Sequence, residues 1–116
     1  MEKEFIVQLS SELFNVKTSI ESELQNENKT NEKLYSLILK AIEFLKERRT
    51  GLPISKKLPI YKYYEKRYGI TNLFMIKLIY GSRGFYTNVS GGQLKVLQII
   101  LEVEETHKGY EKKGNY

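Results

Sequence analysis

The sequence contains no cysteine and no aspartate, and it has one histidine and two prolines. Without cysteine, a disulfide scaffold, a zinc ribbon, an iron–sulfur site and a thiol nucleophile are excluded. A Ser-His-Asp triad and a multi-histidine metal site are excluded too, because one needs an aspartate and the other a second histidine. No apolar run reaches the roughly 18 residues that a membrane-spanning helix requires. The N-terminal residues MEKEF lack an apolar signal stretch, which favours a cytoplasmic protein.

The remaining composition is that of a globular domain. The chain has 116 residues, of which 41% are hydrophobic and 28% charged. This length and this apolar content are typical of one domain with a single core, so we assign residues 1–116 to one unit.

The positive charge is concentrated in one part of the sequence. The net charge is +5, but the stretch from Arg48 to Arg67 alone carries +6, because it holds seven basic residues and one glutamate. The basic residues are Arg48, Arg49, Lys56, Lys57, Lys62, Lys66 and Arg67. Such a block indicates a polyanionic partner, with nucleic acid favoured over a membrane surface.

The first half of the chain predicts a strand followed by two helices. Residues 4–9 are apolar and β-branched, as in a strand. Apolar residues then recur every three or four positions through about residues 10–50, and a polar turn at 26–31 divides them into an antiparallel helical hairpin. Gly51 is expected to end the second helix in the left-handed conformation.

The second half predicts a sheet. Residues 52–72 form an irregular basic segment, with a helical turn around 61–67, and residues 73–103 form a β-meander with a tight turn at 90–92. A basic tail covers 104–116. The whole order is β-α-α-β-β-β, an α+β fold in which the helical hairpin packs on a small, mainly antiparallel four-stranded sheet. The first strand is expected to return parallel to a neighbour near the last strands, because it leaves through two helices.

Three segments of the second half carry a family resemblance. They are YGITNLFMIKL (68–78), GSRGFYT (81–87) and ILEVEETHKGYEKKGNY (100–116). In their motifs and their order they resemble the RelE/ParE toxin superfamily, the small ribonucleases of toxin–antitoxin pairs. The match covers about residues 52–116, and its most specific part is the His-Lys-x-Tyr-Glu-Lys run of the last segment.

The resemblance implies an endoribonuclease that an antitoxin protein neutralises, and messenger RNA on the ribosome is its expected substrate. No cofactor and no metal is expected. In this chemistry a base removes the proton of the ribose 2′-hydroxyl, whose oxygen then attacks the adjacent phosphorus. An acid protonates the leaving 5′-oxygen, and cations stabilise the phosphoryl charge.

Candidate site residues follow from the same comparison. Arg83 matches the strand arginine that resembles a phosphate ligand, and its guanidinium offers a bidentate fork. His107, the one side chain that ordinarily titrates near neutrality, and Tyr110 match residues placed in proton transfer and base stacking. The general base stays open between His107, Glu65 and Glu102. The basic residues expected to bind RNA are Lys56, Lys57, Lys62, Lys66, Arg67, Lys108 and Lys112.

Two other functions fit the same residues. One is a noncatalytic RelE-fold module that binds nucleic acid or protein, which Gly84 favours because the family usually has a large apolar residue there. The other is a ParE-like gyrase inhibitor, against which the His-Lys-x-Tyr tail argues. The sequence leaves the oligomeric state open.

Overall fold

A computed structural model describes residues 3–105 of the chain. Its helices and strands, in chain order, are β1 (Glu4–Leu9), α1 (Ser11–Gln25), α2 (Glu32–Lys46), β2 (Leu52–Pro53), α3 (Pro59–Tyr68), β3 (Phe74–Lys77), β4 (Arg83–Gly92) and β5 (Lys95–Glu104). The strands form one five-stranded sheet in the order β1-β5-β4-β3-β2. β1 runs parallel to β5, and the other neighbouring pairs are antiparallel.

The α+β class, the helical hairpin and the parallel pairing of β1 are confirmed. The four-stranded sheet and the order β-α-α-β-β-β are wrong in detail, because β2 adds a fifth strand and α3 a third helix. β2 pairs through only two residues, Leu52 and Pro53, with Met75 and Phe74. Two residues, one of them a proline without an amide hydrogen, are too short to show the alternation that identifies a strand.

Ser10 joins the first strand, the first helix and the sheet. Its hydroxyl accepts a hydrogen bond from the Leu13 amide at 3.1 Å, so it caps α1. The same hydroxyl donates to the Leu101 carbonyl on β5 at 2.7 Å. The start of α1 is therefore fixed against β5, an interior strand of the sheet.

The sheet is covered on both faces. The first core lies between the sheet and the α1–α2 hairpin, and it consists of Leu13, Ile20, Ile38, Ala41, Leu45, Ile76, Tyr86 and Ile100. The second lies between the sheet and α3, and it consists of Ile60, Tyr61, Tyr64, Ile70, Leu73, Phe85 and Leu101. β5 supplies Ile100 to one core and the adjacent Leu101 to the other, which explains the unbroken apolar run in its sequence.

The tyrosines of α3 are mostly core residues. Tyr61 and Tyr64 are buried against the sheet, and the Tyr64 ring lies 4.9 Å from the Phe85 ring. The helix begins with Pro59 in its first turn and ends at Gly69, which has φ 67° and ψ 32°. A proline start and a left-handed glycine end are the ordinary limits of a helix, so this segment is regular and the prediction of an irregular segment is wrong here.

Gly51 does not end α2 in a left-handed conformation as predicted. α2 ends at Lys46, and the residue with positive φ that follows it is Arg48, at 61°. Gly51 instead allows close packing, because a Cβ there would lie 2.7 Å from the Met75 carbonyl oxygen. Its amide donates to the Tyr86 hydroxyl at 3.0 Å. The glycine is required by contact with the sheet and not by its own dihedral angles.

The turn of the last hairpin also differs from the prediction. β4 continues through the glycine pair expected at the turn and ends at Gly92. The chain reverses direction just after Gly92, at Gln93 and Leu94, and Leu94 has a φ of 77°. An irregular register between Ser90 and Gly92 absorbs the extra length. Glycine here permits a bulge rather than the reversal itself.

Replacing either of two core tyrosines by phenylalanine should change stability differently, because only one of the two hydroxyls has a hydrogen-bond partner within residues 3–105. Tyr86→Phe removes the acceptor for the buried Gly51 amide, so it should lower the free energy of unfolding by about 1–3 kcal/mol. The buried Tyr61 hydroxyl has no hydrogen-bond partner within residues 3–105, so Tyr61→Phe should leave stability unchanged or raise it. Urea unfolding of both variants measures the difference. Equal losses of stability would contradict the assignment of the Tyr86 contact.

Candidate functional site

Arg83 lies at the start of β4, on the face of the sheet that carries α3. A Cβ on the next residue, Gly84, would lie 3.6 Å from Ala41 of α2, so Gly84 faces the hairpin. Phe85 packs in the core under α3. Because side chains alternate along a strand, Arg83 shares the face of Phe85. It is half-buried, and its Nη1 donates to the Ser82 carbonyl at 3.2 Å.

The glycine at position 84 has a packing reason in this fold. Its backbone lies directly under Ala41 of α2, and an added Cβ would also lie 3.7 Å from Ile76. A large side chain at this position would have to push α2 away from the sheet. The glycine therefore reflects the close approach of the helix, on the face opposite Arg83.

The end of β5 lies beside Arg83. In the sheet register Arg83 is opposite Lys77 of β3 on one side and Glu104 of β5 on the other. The fully buried Ser82 donates its hydroxyl to the Glu105 carbonyl at 2.8 Å, which fixes the last described residue. The chain therefore leaves the sheet next to Arg83.

A bulge sets which side chains of β5 face α3. Phe85 is paired with Glu102 and Tyr86 with Ile100. Leu101 is therefore an extra residue of β5 that has no partner in the register on β4. Leu101 packs under α3, and Glu102 also contacts α3 through Tyr68. The bulge thus places two consecutive β5 residues on the α3 side, as bulges commonly do at functional positions.

Arg67 and Tyr68 at the end of α3 hold the Glu102 carboxylate. The Tyr68 hydroxyl donates to Glu102 at 2.7 Å, and the Arg67 Nε lies 3.2 Å from the same Oε2. Arg67 also pairs with Glu12 in the first turn of α1. Hydrogen bonds to Tyr68 and Glu12 raise the pKa of Arg67. Burial, followed by the hydrogen bond to Glu102, raises the pKa of Tyr68, so its hydroxyl remains a donor.

This network changes the interpretation of two predicted site residues. Arg67, predicted to bind RNA, joins α1, α3 and β5 through two glutamates. Glu102, one candidate for the general base, is held by a hydrogen bond and an ion pair. Both residues therefore have a structural role at this end of the sheet.

The lysines of the basic segment are different. Lys56 and Lys57 lie in the turn before α3, and Lys62 and Lys66 lie one turn apart on its exposed side. All four are exposed, and none makes an ion pair within residues 3–105. Glu65, another candidate base, is the one acidic residue of α3 and is also exposed. This exposed side of α3 with its preceding turn is called the lysine surface below.

The basic block of the sequence is therefore divided in space. Arg48 and Arg49 follow α2 instead of belonging to the lysine surface. The guanidinium of Arg49 lies 4.6 Å from the Phe44 ring centroid, and that of Arg48 lies 5.7 Å from the Phe5 ring centroid. These two arginines cover aromatic rings, which is a common use of arginine at a surface.

One cation near Arg83 was not singled out by the sequence analysis. Lys77 is exposed and directly opposite Arg83 in the register. Like charges opposite each other in a sheet repel, and the Glu104 carboxylate opposite Arg83 on its other side offsets part of that repulsion. The only sequence signal was an isolated lysine at the end of an apolar strand.

Some predicted residues lie outside the described part of the chain. These are His107, Lys108, Tyr110 and Lys112. Within residues 3–105, no three His, Cys, Asp or Glu side chains converge as metal ligands. In the same range no helix is long and apolar enough to cross a bilayer.

Comparisons with known proteins give no family: no protein-family model matches the chain, and no curated protein or solved structure matches significantly. The function is therefore argued from the residues and their geometry.

Arg67 and its neighbour Lys66 provide a matched test of structural against binding roles. Arg67→Gln should lower the midpoint of urea unfolding, because the mostly buried Glu102 carboxylate loses its cation. Lys66→Gln should leave the midpoint unchanged, because this exposed lysine makes no ion pair within the described residues. Equal midpoints for the two variants would show that the Arg67 network does not stabilise the fold.

Proposed function

We propose that this protein is a metal-independent endoribonuclease of the RelE-like kind, which cuts messenger RNA on the ribosome and is neutralised by an antitoxin protein. The observation that carries the proposal is the position of Arg83. This half-buried arginine is adjacent in the sheet to the point where the chain leaves at Glu105. The His-Lys-x-Tyr sequence follows that point directly.

In this proposal Arg83 binds the phosphate that reacts. A guanidinium presents two parallel donors, and its charge stabilises the extra negative charge that forms on the phosphoryl oxygens. Half burial strengthens this interaction, because less water screens it. The hydrogen bond from Nη1 to the Ser82 carbonyl restricts the guanidinium in orientation.

Proton transfer is assigned to His107. Of the three candidate bases, Glu102 is engaged by Tyr68 and Arg67, and Glu65 lies on the exposed side of α3. A histidine is suited to accept the 2′-hydroxyl proton and to return one to the leaving oxygen near neutral pH. Tyr110 takes the base-stacking role that the resemblance implies.

The RNA backbone is proposed to lie along the lysine surface. Its four lysines point to solvent without an ion pair in the described part of the chain. Binding should therefore weaken as salt rises, because each phosphate contact releases counterions. Lys108 and Lys112 add to the same charge in the proposal.

A noncatalytic binding module of the same fold is the second candidate. It is favoured by the Glu102 network, which uses a carboxylate near Arg83 to hold the fold together. Such a protein would keep the lysine surface and bind RNA without cutting it.

Induced expression of the wild type and of site variants tests the proposal. The wild type should arrest growth and cut messenger RNA, whereas Arg83→Gln and His107→Ala should each reduce cleavage about 100-fold or more. Cleavage of ribosome-free RNA by the purified protein should persist in EDTA, because the side chains run the reaction without a metal. Lys29→Gln, an exposed change in the α1–α2 turn, is the control and should behave as the wild type. Undiminished cleavage by both site variants would overturn the catalytic roles of Arg83 and His107. A wild type that binds RNA but neither arrests growth nor cuts RNA would favour the noncatalytic binding module instead.

A further inference from the structure

Tyr80 is an exposed aromatic residue in an unusual backbone conformation. Its side chain is 84% exposed, and its φ and ψ are 55° and 37°. This left-handed region is unfavourable for a residue with a Cβ. No hydrogen bond of its hydroxyl within residues 3–105 offsets that cost. An exposed aromatic side chain on a residue with an unfavourable backbone conformation suggests that the ring contacts another molecule.

The turn that carries Tyr80 is fixed to the sheet. It is a tight hairpin turn in which Tyr80 and Gly81 both have positive φ, closed by hydrogen bonds from the Leu78 amide to the Ser82 carbonyl at 2.9 Å and from the Ser82 amide to the Ile79 carbonyl at 3.1 Å. The buried Ser82 hydroxyl binds the end of β5. The Tyr80 ring is therefore presented by an anchored turn.

A concavity that contains one lysine and one glutamate lies beside the ring. It has a volume of about 540 Å³ and is lined by Glu32, Lys33, Ser36, Leu37, Ile79 and Tyr80. The Lys33 Nζ lies 5.9 Å from the ring centroid, within the range of a cation–π contact. This volume is within the usual range for sites that hold a small planar group.

Two further cations flank the turn along the chain. Lys77 ends the strand before it, Arg83 begins the strand after it, and the two are opposite each other in the sheet. Proteins that bind single-stranded nucleic acid combine exposed aromatic rings, on which bases stack, with cations that contact the phosphates. Here Lys33 lies over the Tyr80 ring, and Lys77 and Arg83 are three residues before and after it in the chain.

We propose that Tyr80 is a stacking platform for one base of single-stranded RNA, with Lys33 and Lys77 contacting the neighbouring phosphates. The inference rests on the proposed function in taking RNA as the partner. It adds to that function a subsite on the turn between β3 and β4, which shares no residue with the lysine surface. A protein that docks on Ile79 and Tyr80 is the competing occupant.

Binding of a fluorescent oligonucleotide tests the platform without cleavage. The probe is a 2′-O-methyl oligoadenylate of about ten nucleotides, within the usual site size for such surfaces, which cannot be cut by 2′-hydroxyl attack. Tyr80→Ala should raise the dissociation constant roughly 5- to 100-fold, the usual effect of losing one stacked base. Tyr80→Phe keeps the ring and should bind as the wild type does. Phe14→Ala removes another exposed ring, on α1, and should also bind normally.

Tyr80→Gly guards against a folding artefact. Glycine takes positive φ without strain, so this variant should be at least as stable as the wild type and should still lose affinity. Wild-type affinity in Tyr80→Ala and Tyr80→Gly would overturn the platform and leave the proposed function intact. A loss in both, in a protein that cuts no RNA, would support the platform and overturn the nuclease. The platform would also be overturned if the wild type did not bind the oligonucleotide. It would be overturned as well if the Tyr80 variants bound the oligonucleotide normally but lost binding to a partner protein.

Discussion

The candidate site depends on the bulge at Leu101 in β5, the strand between β1 and β4. If β5 alternated regularly beyond Ile100, Glu102 would face the α1–α2 hairpin. The extra residue puts Glu102 beside Arg67 and Tyr68, and leaves Glu104 opposite Arg83. Because β5 also fills both cores, a single irregularity determines the charges at this end of the sheet. The bulge therefore determines both which β5 side chains fill the cores and which charged side chains lie near Arg83.

Burial on both faces explains why the site lies at an end of the sheet. The hairpin covers one face and α3 the other, so the middle of the sheet has no exposed side chains for a polyanion to contact. Arg83 and Glu104, at the end where β4 begins and β5 finishes, are half-buried, whereas the exposed residues of these two strands lie at the opposite end, around the 93–94 turn. The arrangement is suited to a strand of RNA that crosses α3 and reaches the sheet at one point.

The parts of the fold that repeat a pattern could be predicted from the sequence. The hairpin has a long apolar stripe, and a strand followed by two helices returns parallel to a neighbour, as β1 does with β5. α3 was predicted only as a helical turn around 61–67, because its buried positions include tyrosines between lysines, which do not give a simple apolar stripe. β2 is too short to have a period. Gly51 was misassigned because a close contact with Met75, far along the chain, leaves no local signal.

For the candidate site, the sequence identified residue types better than it identified partners. Arg83 and the exposed lysines remain candidates for binding RNA. Arg67 instead forms ion pairs with Glu12 of α1 and Glu102 of β5. Such long-range pairing depends on the tertiary fold, and a basic residue in a charged block gives no sign of it. Tyr80 was missed for the same reason, since its exposure follows from the turn that holds it.

The central claim is that this protein cuts RNA through the 2′-hydroxyl next to the phosphate held by Arg83. The most direct measurement is the chemistry of the cut ends, with a matched RNA that carries a single 2′-deoxynucleotide on the 5′ side of the cut. The account predicts a 2′,3′-cyclic phosphate and a 5′-hydroxyl, and no cleavage at the deoxy position. Ends with a 3′-hydroxyl and a 5′-phosphate, or equal cleavage of the deoxy RNA, would contradict it.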